Sequence, residues 1–164
     1  MKTLYLVRHA KSSWEESGLS DIDRPPTEQG IERTERVIRF LQKKEITADR
    51  ILSSPAIRAY NTAVLVAKGI RYPKDKIIID RKIYDGGYDK ILDLICSTPD
   101  EINSLMIFGH NPAISLLADR FVHPGVDFLP TTGTVCIHFK TDQWKLIRSV
   151  EPVMDFIIFP KMLK

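Results

Sequence analysis

The sequence has few cysteines and no long apolar run. Its two cysteines, Cys96 and Cys136, each lie inside an apolar segment and not in a paired framework. We interpret both as small buried side chains in a reducing compartment, which predicts a cytoplasmic protein. No segment approaches the roughly 18 uninterrupted apolar residues of a membrane span. The apolar stretch Leu4–Val7 is also too short for a signal-peptide core, so we expect neither membrane association nor export.

The charge is modest and evenly distributed. The net charge is +3 at pH 7, and the basic residues are spread along the chain. Nucleic-acid binding through phosphate neutralisation requires a dense stripe of Lys and Arg, so we do not expect a nucleic-acid partner. The length of 164 residues favours a single domain that spans residues 1–164, and we expect a monomer.

Several familiar catalytic patterns are missing. The sixth residue after Cys96 is Ile102 and the sixth after Cys136 is Asp142, so no Cys-(x)5-Arg loop is present. The chain also lacks a G-x-x-x-x-G-K-[ST] loop and any His or carboxylate cluster with the sequence spacing of a zinc or two-metal site. These absences exclude a cysteine nucleophile of that kind and a nucleotide-binding loop, and they predict no cofactor and no catalytic metal.

Short β-type runs alternate with helical patterns, which is typical of an α/β fold with a mostly parallel sheet covered by helices. The predicted strands are Thr3–Val7, Arg50–Ser53, Ile77–Asp80, Leu105–Phe108, and a late antiparallel pair, Val135–Phe139 and Trp144–Val150. The predicted helices run from the cap Thr27 to Lys44, from the cap Ser54 with Pro55 to Lys68, over Tyr88–Ser97, and from the cap Asn111 with Pro112 to Phe121.

Unusual chemistry follows three of these strands. Arg8 and His9 leave the first strand, Arg58 follows the second and His110 follows the fourth. The carboxyl ends of parallel strands lie along one edge of a sheet, where such folds form their ligand crevice. Helices that begin there add free backbone N–H groups and a positive dipole end. Two arginines and two histidines at this edge predict a site for an anion such as phosphate.

Four sequence blocks match one family in order and spacing. They are Leu6-Val7-Arg8-His9-Ala10-Lys11-Ser12, Asp23-Arg24-Pro25-Pro26-Thr27 with Gly30, Ser53-Ser54-Pro55 with Arg58 and Thr62, and Gly109-His110-Asn111-Pro112. On these residues the chain resembles the histidine phosphatase superfamily, whose fold is phosphoglycerate-mutase-like, and within it the small phosphohistidine phosphatases. The resemblance runs nearly the full length and implies a three-layer α/β/α sandwich with a mostly parallel central sheet.

The resemblance also implies a role for each site residue. His9 attacks phosphorus and is transiently phosphorylated, Arg8 and Arg58 bind the phosphoryl oxygens, and His110 donates to those oxygens as charge develops. The physical chemistry agrees, because a neutral imidazole is a competent nucleophile near pH 7 without a metal. Guanidinium groups offer planar, permanently charged forks to a phosphoryl group.

A general acid is harder to assign. Larger family members carry a glutamate that protonates the leaving group, and in the matching stretch this chain reads Ile83-Tyr84-Asp85-Gly86. Asp85 is the candidate acid, and the alternative is a turn ahead of the following helix. Lys11, Ser12 and Ser13 either line the pocket or form a solvated loop. His123 and His138 lie in no matching motif, so we interpret them as structural or surface residues.

The substrate class follows from the length of one connection. Only Arg81–Tyr88 separates the third strand from its helix, where larger relatives insert a lid, so the crevice is expected to be open. An open site admits a phosphorylated side chain on a protein, and phosphohistidine has a leaving group that needs little protonation. The alternatives are a phosphatase of the same superfamily that acts on a small phosphate ester, and a phosphate-binding module without catalysis.

Overall fold

The computed structural model describes residues 1–14, 18–122 and 125–163, which form a six-stranded sheet with helices on both faces. The strands are β1 Lys2–Arg8, β2 Arg50–Ser53, β3 Ile78–Ile79, β4 Ser104–Gly109, β5 Thr134–Phe139 and β6 Pro152–Ile158. Their order is β3-β2-β4-β1-β5-β6. The pairs β3–β2, β2–β4 and β4–β1 are parallel, whereas β1–β5 and β5–β6 are antiparallel. The mostly parallel sheet is therefore confirmed.

The helices form two layers, one on each face of the sheet. Successive side chains of β1 point to opposite faces and pack against the two layers in turn. The helices are α1 Glu28–Lys43, α2 Ile57–Gly69, α3 Lys82–Asp85, α4 Gly87–Cys96 and α5 Ala113–Phe121. Leu4 and Leu6 pack in the apolar cluster with α4 and α5, while Tyr5 and Val7 pack in the cluster with α1 and α2. Helices thus cover both faces of the sheet, as the predicted three-layer sandwich requires. Among the described residues, no helix combines the length and apolar character needed to cross a bilayer.

The helix beginnings were predicted with mixed success. Thr27 is the N-cap of α1 and its side chain accepts a hydrogen bond from the Gly30 N–H, as predicted. The predicted cap Ser54 is wrong, because its hydroxyl oxygen accepts from the Ala56 N–H and α2 begins only after Ala56. The predicted cap Asn111 is wrong by one residue, since Pro112 precedes α5. The Ser54 hydroxyl also bonds to His110 Nε2, and Asn111 Oδ1 accepts from the Ser115 N–H in the first turn of α5.

The predicted strand Trp144–Val150 is wrong. Residues Trp144–Ser149 form a 3-10 helix, and the strand that pairs with β5 is Pro152–Ile158. The fully buried Trp144 explains the difference, because its backbone N–H donates to Asp100 and its indole N–H donates to the Ile102 carbonyl at 2.7 Å. These bonds hold the segment against the chain that leads into β4, so its apolar residues fill the core from outside the sheet.

Candidate active site

A cavity of about 260 Å³ opens at the edge of the sheet where β1, β2 and β4 end. Arg8 pairs in register with Gly109 and Ser53 pairs with Phe108, so the residues that follow these strands are neighbours. The lining residues are Arg8, His9, Lys11, Ser12, Trp14, Arg24, Arg58, His110, Asn111 and Thr131. The structure thus brings together the four residues that the sequence singled out for phosphate chemistry, whereas Asp85 is outside this lining.

His9 is held rigidly from both sides of β1. Its backbone N–H donates to the Gly109 carbonyl at 3.1 Å, and its own carbonyl accepts from the Thr132 N–H at 3.1 Å. The ring Nδ1 lies 2.7 Å from the carbonyl oxygen of Ala10, which can only accept, so the ring proton resides on Nδ1. Nε2 therefore carries the free lone pair that a nucleophile needs.

His110 lies next to His9, with the two ring centroids 5.1 Å apart. Its Nε2 is 2.7 Å from the Ser54 hydroxyl oxygen, which also accepts from the Ala56 N–H. The Ser54 hydroxyl therefore donates its proton to His110 Nε2, and the ring proton of His110 lies on Nδ1. That nitrogen is buried and has no hydrogen-bond partner among the described residues, so it is free to bind an acceptor on a ligand.

Both histidines are neutral at pH 7. Burial lowers the pKa of His9 to about 3, with smaller contributions from His110 and the arginines, although the bond to the Ala10 carbonyl opposes the shift. Burial also lowers the pKa of His110 to about 4, and the charge of Arg58 adds to the effect. A buried imidazole beside guanidinium groups resists protonation, which preserves the lone pair on His9.

These two pKa values predict how stability depends on pH. An unfolded histidine titrates near pH 6.5, so between about pH 6.5 and 4 the unfolded chain binds protons that the folded chain excludes. The free energy of unfolding should therefore fall as the pH is lowered through this window. This dependence can be measured by urea unfolding at several pH values. The slope of the free energy of unfolding against pH should be shallower for a His9→Gln/His110→Gln variant, by up to about 1.4 kcal/mol per pH unit for each histidine. An unchanged slope would contradict neutral burial of the pair.

Arg58 is buried and Arg8 is half-buried in the cavity lining, and each has a buried Nε without a hydrogen-bond partner among the described residues. Arg58 Nη1 donates to the Asp21 carbonyl at 2.7 Å and Nη2 donates to the Asp21 carboxylate at 3.0 Å. Arg8 Nη1 donates to the Leu129 carbonyl at 3.1 Å. In the described part of the chain, the buried side-chain nitrogens and oxygens without a partner are Arg8 Nε, Arg58 Nε and His110 Nδ1. Because buried polar groups are normally hydrogen-bonded, this concentration of free donors indicates an anion site.

Asp21 is the residue that sequence reasoning missed. Its carboxylate accepts from Arg58, from Arg24 Nη2 at 3.0 Å and from the Tyr84 hydroxyl at 2.8 Å. Although burial opposes the shift, hydrogen bonds from Tyr84, Arg58 and Arg24 lower the pKa of Asp21 to about 2. Arg58 thus has an acidic partner 37 residues earlier in the chain, and no local pattern indicates it.

Arg24 is a second missed residue, although it lies in a block that matched the family. It is buried, it donates to the Ser12 hydroxyl at 3.0 Å, and its guanidinium lies 3.4 Å from the ring centroid of Trp14. Lys11 and Ser12 line the cavity as one alternative predicted. Ser13 supplies a carbonyl to Arg24 at 3.4 Å and is not part of the lining.

The other predicted residues lie away from the cavity. Asp85 closes α3, is exposed, and accepts from Arg81 Nε at 3.0 Å. It borders a neighbouring cavity of about 220 Å³ that also touches Tyr84 and His110, and its role as an acid stays a prediction. His138 lies on β5, and His123 lies outside the described residues.

Comparison with known proteins agrees with this geometry. Residues 4–84 match the model of the histidine phosphatase superfamily (branch 1). The uncharacterized protein Rv1276c of Mycobacterium tuberculosis is 30% identical over 112 residues, which cover 68% of this chain and 67% of that protein. The protein histidine phosphatase SixA complexed with tungstate superimposes with a TM-score of 0.82 at 19% identity, over 99% of both chains. SixA from Agrobacterium tumefaciens gives a TM-score of 0.80 at 23% identity, over 96% of this chain and 97% of that one. The predicted phosphoglycerate-mutase-like fold is confirmed, and the chain belongs to the histidine phosphatase superfamily.

Proposed function

We propose that this protein is a metal-independent phosphatase that forms a phosphohistidine intermediate on His9 and acts on phosphohistidine in proteins. One observation carries the proposal: the free donors of Arg8, Arg58 and His110 surround a neutral histidine whose Nε2 lone pair is available. Donors held in place before the reaction stabilise charge that develops on a phosphoryl group.

The reaction has two displacement steps. In the first, His9 Nε2 forms a bond to phosphorus while the bond to the leaving group breaks, and the leaving group takes a proton from solvent. The ring then carries a positive charge, which the Nδ1–H bond to the Ala10 carbonyl stabilises. In the second step water attacks phosphorus, the N–P bond breaks, inorganic phosphate leaves and the lone pair returns to Nε2. Arg8, Arg58 and His110 bind the phosphoryl oxygens throughout.

The cavity's own charge supports a mechanism without a metal. Its described lining contains Arg8, Lys11, Arg24 and Arg58, and the carboxylate of Asp21 contacts two of these residues, Arg24 and Arg58. This net positive charge can neutralise a phosphoryl group, which is the electrostatic role that a metal ion has in other phosphatases.

The open mouth of the cavity and the lack of a well-placed general acid favour phosphohistidine as the substrate. From Ile79 the chain passes through the four residues of α3 directly into α4, with no inserted lid, and Trp14 at the mouth is 75% exposed. Asp21 is ionised at pH 7 because its pKa is about 2, and Asp85 is paired with Arg81. A site without a well-placed acid suits an imidazole leaving group better than an alkoxide, since the alkoxide needs a proton more.

A substrate panel tests this proposal. The expected result is a higher kcat/KM for a phosphohistidine protein or peptide than for metabolite phosphate esters, with the rate unchanged in excess chelator. Strong turnover of one metabolite ester alone would instead identify a small-molecule phosphomonoesterase. Phosphate binding without turnover of any substrate would identify a binding module, and a rate lost to chelator and restored by a metal would overturn metal independence.

The role of Asp85 is tested by leaving-group dependence. If Asp85 is a general acid, Asp85→Asn should slow hydrolysis of an alkyl phosphate by roughly 10²- to 10⁴-fold and hydrolysis of nitrophenyl phosphate or phosphohistidine far less. Arg81→Gln is the matched control, because it breaks the same ion pair but keeps the carboxylate. Equal effects of the two variants, or no effect of either, would show that Asp85 serves only as the partner of Arg81.

A further inference from the structure

A second group of reactive side chains lies on the antiparallel side of the sheet, away from the phosphatase cavity. Cys136 and His138 are two residues apart on β5 and therefore share a face, and Asp155 belongs to the neighbouring strand β6. One ligand atom from each residue, a thiol sulfur, an imidazole nitrogen and a carboxylate oxygen, lies within 4.8 Å of the other two. His138 Nε2 lies 3.1 Å from Asp155 Oδ2.

A β-bulge brings Asp155 to this face. The β5–β6 register shifts between Cys136 and Ile137, so that Cys136 pairs with Phe156 and Ile137 pairs with Met154. Asp155 is therefore the extra residue of the bulge, and both it and Phe156 face Cys136. In a regular strand two consecutive side chains would point to opposite faces. Bulges commonly redirect a side chain in this way next to functional sites.

The chemistry of the three side chains suits zinc. Thiolate, imidazole and carboxylate are its usual protein ligands, with bond lengths of about 2.0 to 2.3 Å, which place tetrahedral ligands roughly 3.3 to 3.7 Å apart. A group that already lies within 4.8 Å needs only small side-chain movements to reach such distances. Cys136 is fully buried, whereas the side chains of His138 and Asp155 are 29% and 36% exposed, so an ion can enter from solvent.

The surroundings orient the three residues. Thr3 Oγ1 lies 2.9 Å from His138 Nδ1, which fixes the ring with Nε2 towards Asp155, as outer partners of metal-bound histidines do. The opposing charge is that of Lys44, whose ammonium lies 3.6 Å from the other carboxylate oxygen of Asp155. With a thiolate and a carboxylate as ligands, one lysine leaves the group with a net negative charge of one, which still favours a divalent cation.

We propose that Cys136, His138 and Asp155 form a zinc site with three protein ligands and a water molecule in the fourth position. Binding replaces the thiol proton of Cys136 and releases it to solvent. The site joins β5 to β6 and has no part in the chemistry at His9. Its sequence spacing, Cys-x-His followed by an aspartate 17 residues later, matches no familiar zinc pattern, which explains why sequence reasoning did not find it.

Cobalt titration of the metal-free full-length protein tests the site, because tetrahedral Co²⁺ is coloured and a bound thiolate adds a charge-transfer band. We expect one equivalent of Co²⁺ to give both signals and Zn²⁺ to remove them by displacement. Cys136→Ser should abolish the charge-transfer band, whereas Cys96→Ser, at the other cysteine, should retain it. A His9→Gln/His110→Gln variant should also retain it, which separates this site from the phosphatase cavity.

Two further variants, at the exposed Asp155 and the half-buried Thr3, keep the test decisive if Cys136→Ser does not fold. Asp155→Asn should fold normally and lose most of its affinity for Co²⁺. Thr3→Val removes the outer partner of His138 and should weaken binding by about 10- to 100-fold. The proposal is overturned if no charge-transfer band forms, if Cys96→Ser abolishes it, or if folded Asp155→Asn binds Co²⁺ as tightly as the parent protein.

Discussion

Replacement of His9 by alanine is expected to abolish turnover and to remove the phosphate that otherwise becomes attached to the protein during the reaction. The loss of rate should be very large, approaching the roughly 10⁶-fold seen when a covalent nucleophile is removed from other enzymes. The reason is that a donor-lined cavity can bind a phosphoryl group but cannot form the covalent intermediate without the lone pair on Nε2.

The measurement is a rapid quench of the enzyme with a labelled phosphorylated substrate, followed by exposure of the protein to acid and to alkali. A nitrogen–phosphorus bond is labile in acid and persists in alkali, so the parent protein should lose its label only in acid. His9→Ala should carry no label, while its thermal unfolding shows that it is folded. Acid-stable label on Ser12, Ser13 or another hydroxyl would overturn the mechanism.

Arg58→Lys is expected to lower kcat/KM by roughly 10²- to 10³-fold, the usual effect of removing a donor that stabilises the transition state. Lysine keeps the positive charge but presents a compact ammonium and not a planar fork. The Arg58 guanidinium already contacts Asp21 with both terminal nitrogens, and its buried Nε has no hydrogen-bond partner among the described residues. A lysine that pairs with Asp21 has no donor at the position of Nε.

The Asp21 contact raises a competing explanation, in which Arg58 serves only to hold the fold together. The two explanations differ in what they change, because a structural role predicts a lower free energy of unfolding with normal kinetics in the protein that remains folded. Arg36→Lys is the matched control, since Arg36 also binds a carboxylate, that of Glu32, through two nitrogens but lies outside the cavity lining. Kinetics of Arg58→Lys that match those of Arg36→Lys would remove Arg58 from the site.

Features with a local physical cause were predictable from the sequence. The first five strands and the four longer helices, the cap at Thr27 and the meeting of His9 with Arg58 and His110 follow from apolar periodicity, capping chemistry and the common edge of parallel strands. The family resemblance implies the roles of these residues. That resemblance depends on four sequence blocks that match the family in order and spacing.

The features that were missed arise from contacts between distant segments. Trp144 begins a run that has the apolar character of a strand, but its hydrogen bonds to Asp100 and Ile102 hold the segment as a 3-10 helix. Asp21 reaches Arg58 because the 3-10 turn Asp21–Asp23 lies against α2. The bulge at Asp155 is likewise a property of two paired strands, and the sequence of either strand alone does not indicate it.

The ion pair between Asp21 and Arg58 bears on how the site empties after each reaction. Asp21 is ionised at neutral pH and stays next to a guanidinium that the phosphoryl group also needs, so the two anions compete for one cation. In the mechanism that we propose, the product, inorganic phosphate, meets the same competition once its bond to His9 has broken. The Asp21 carboxylate on Arg58 is therefore expected to weaken the binding of phosphate and to favour its release after each reaction.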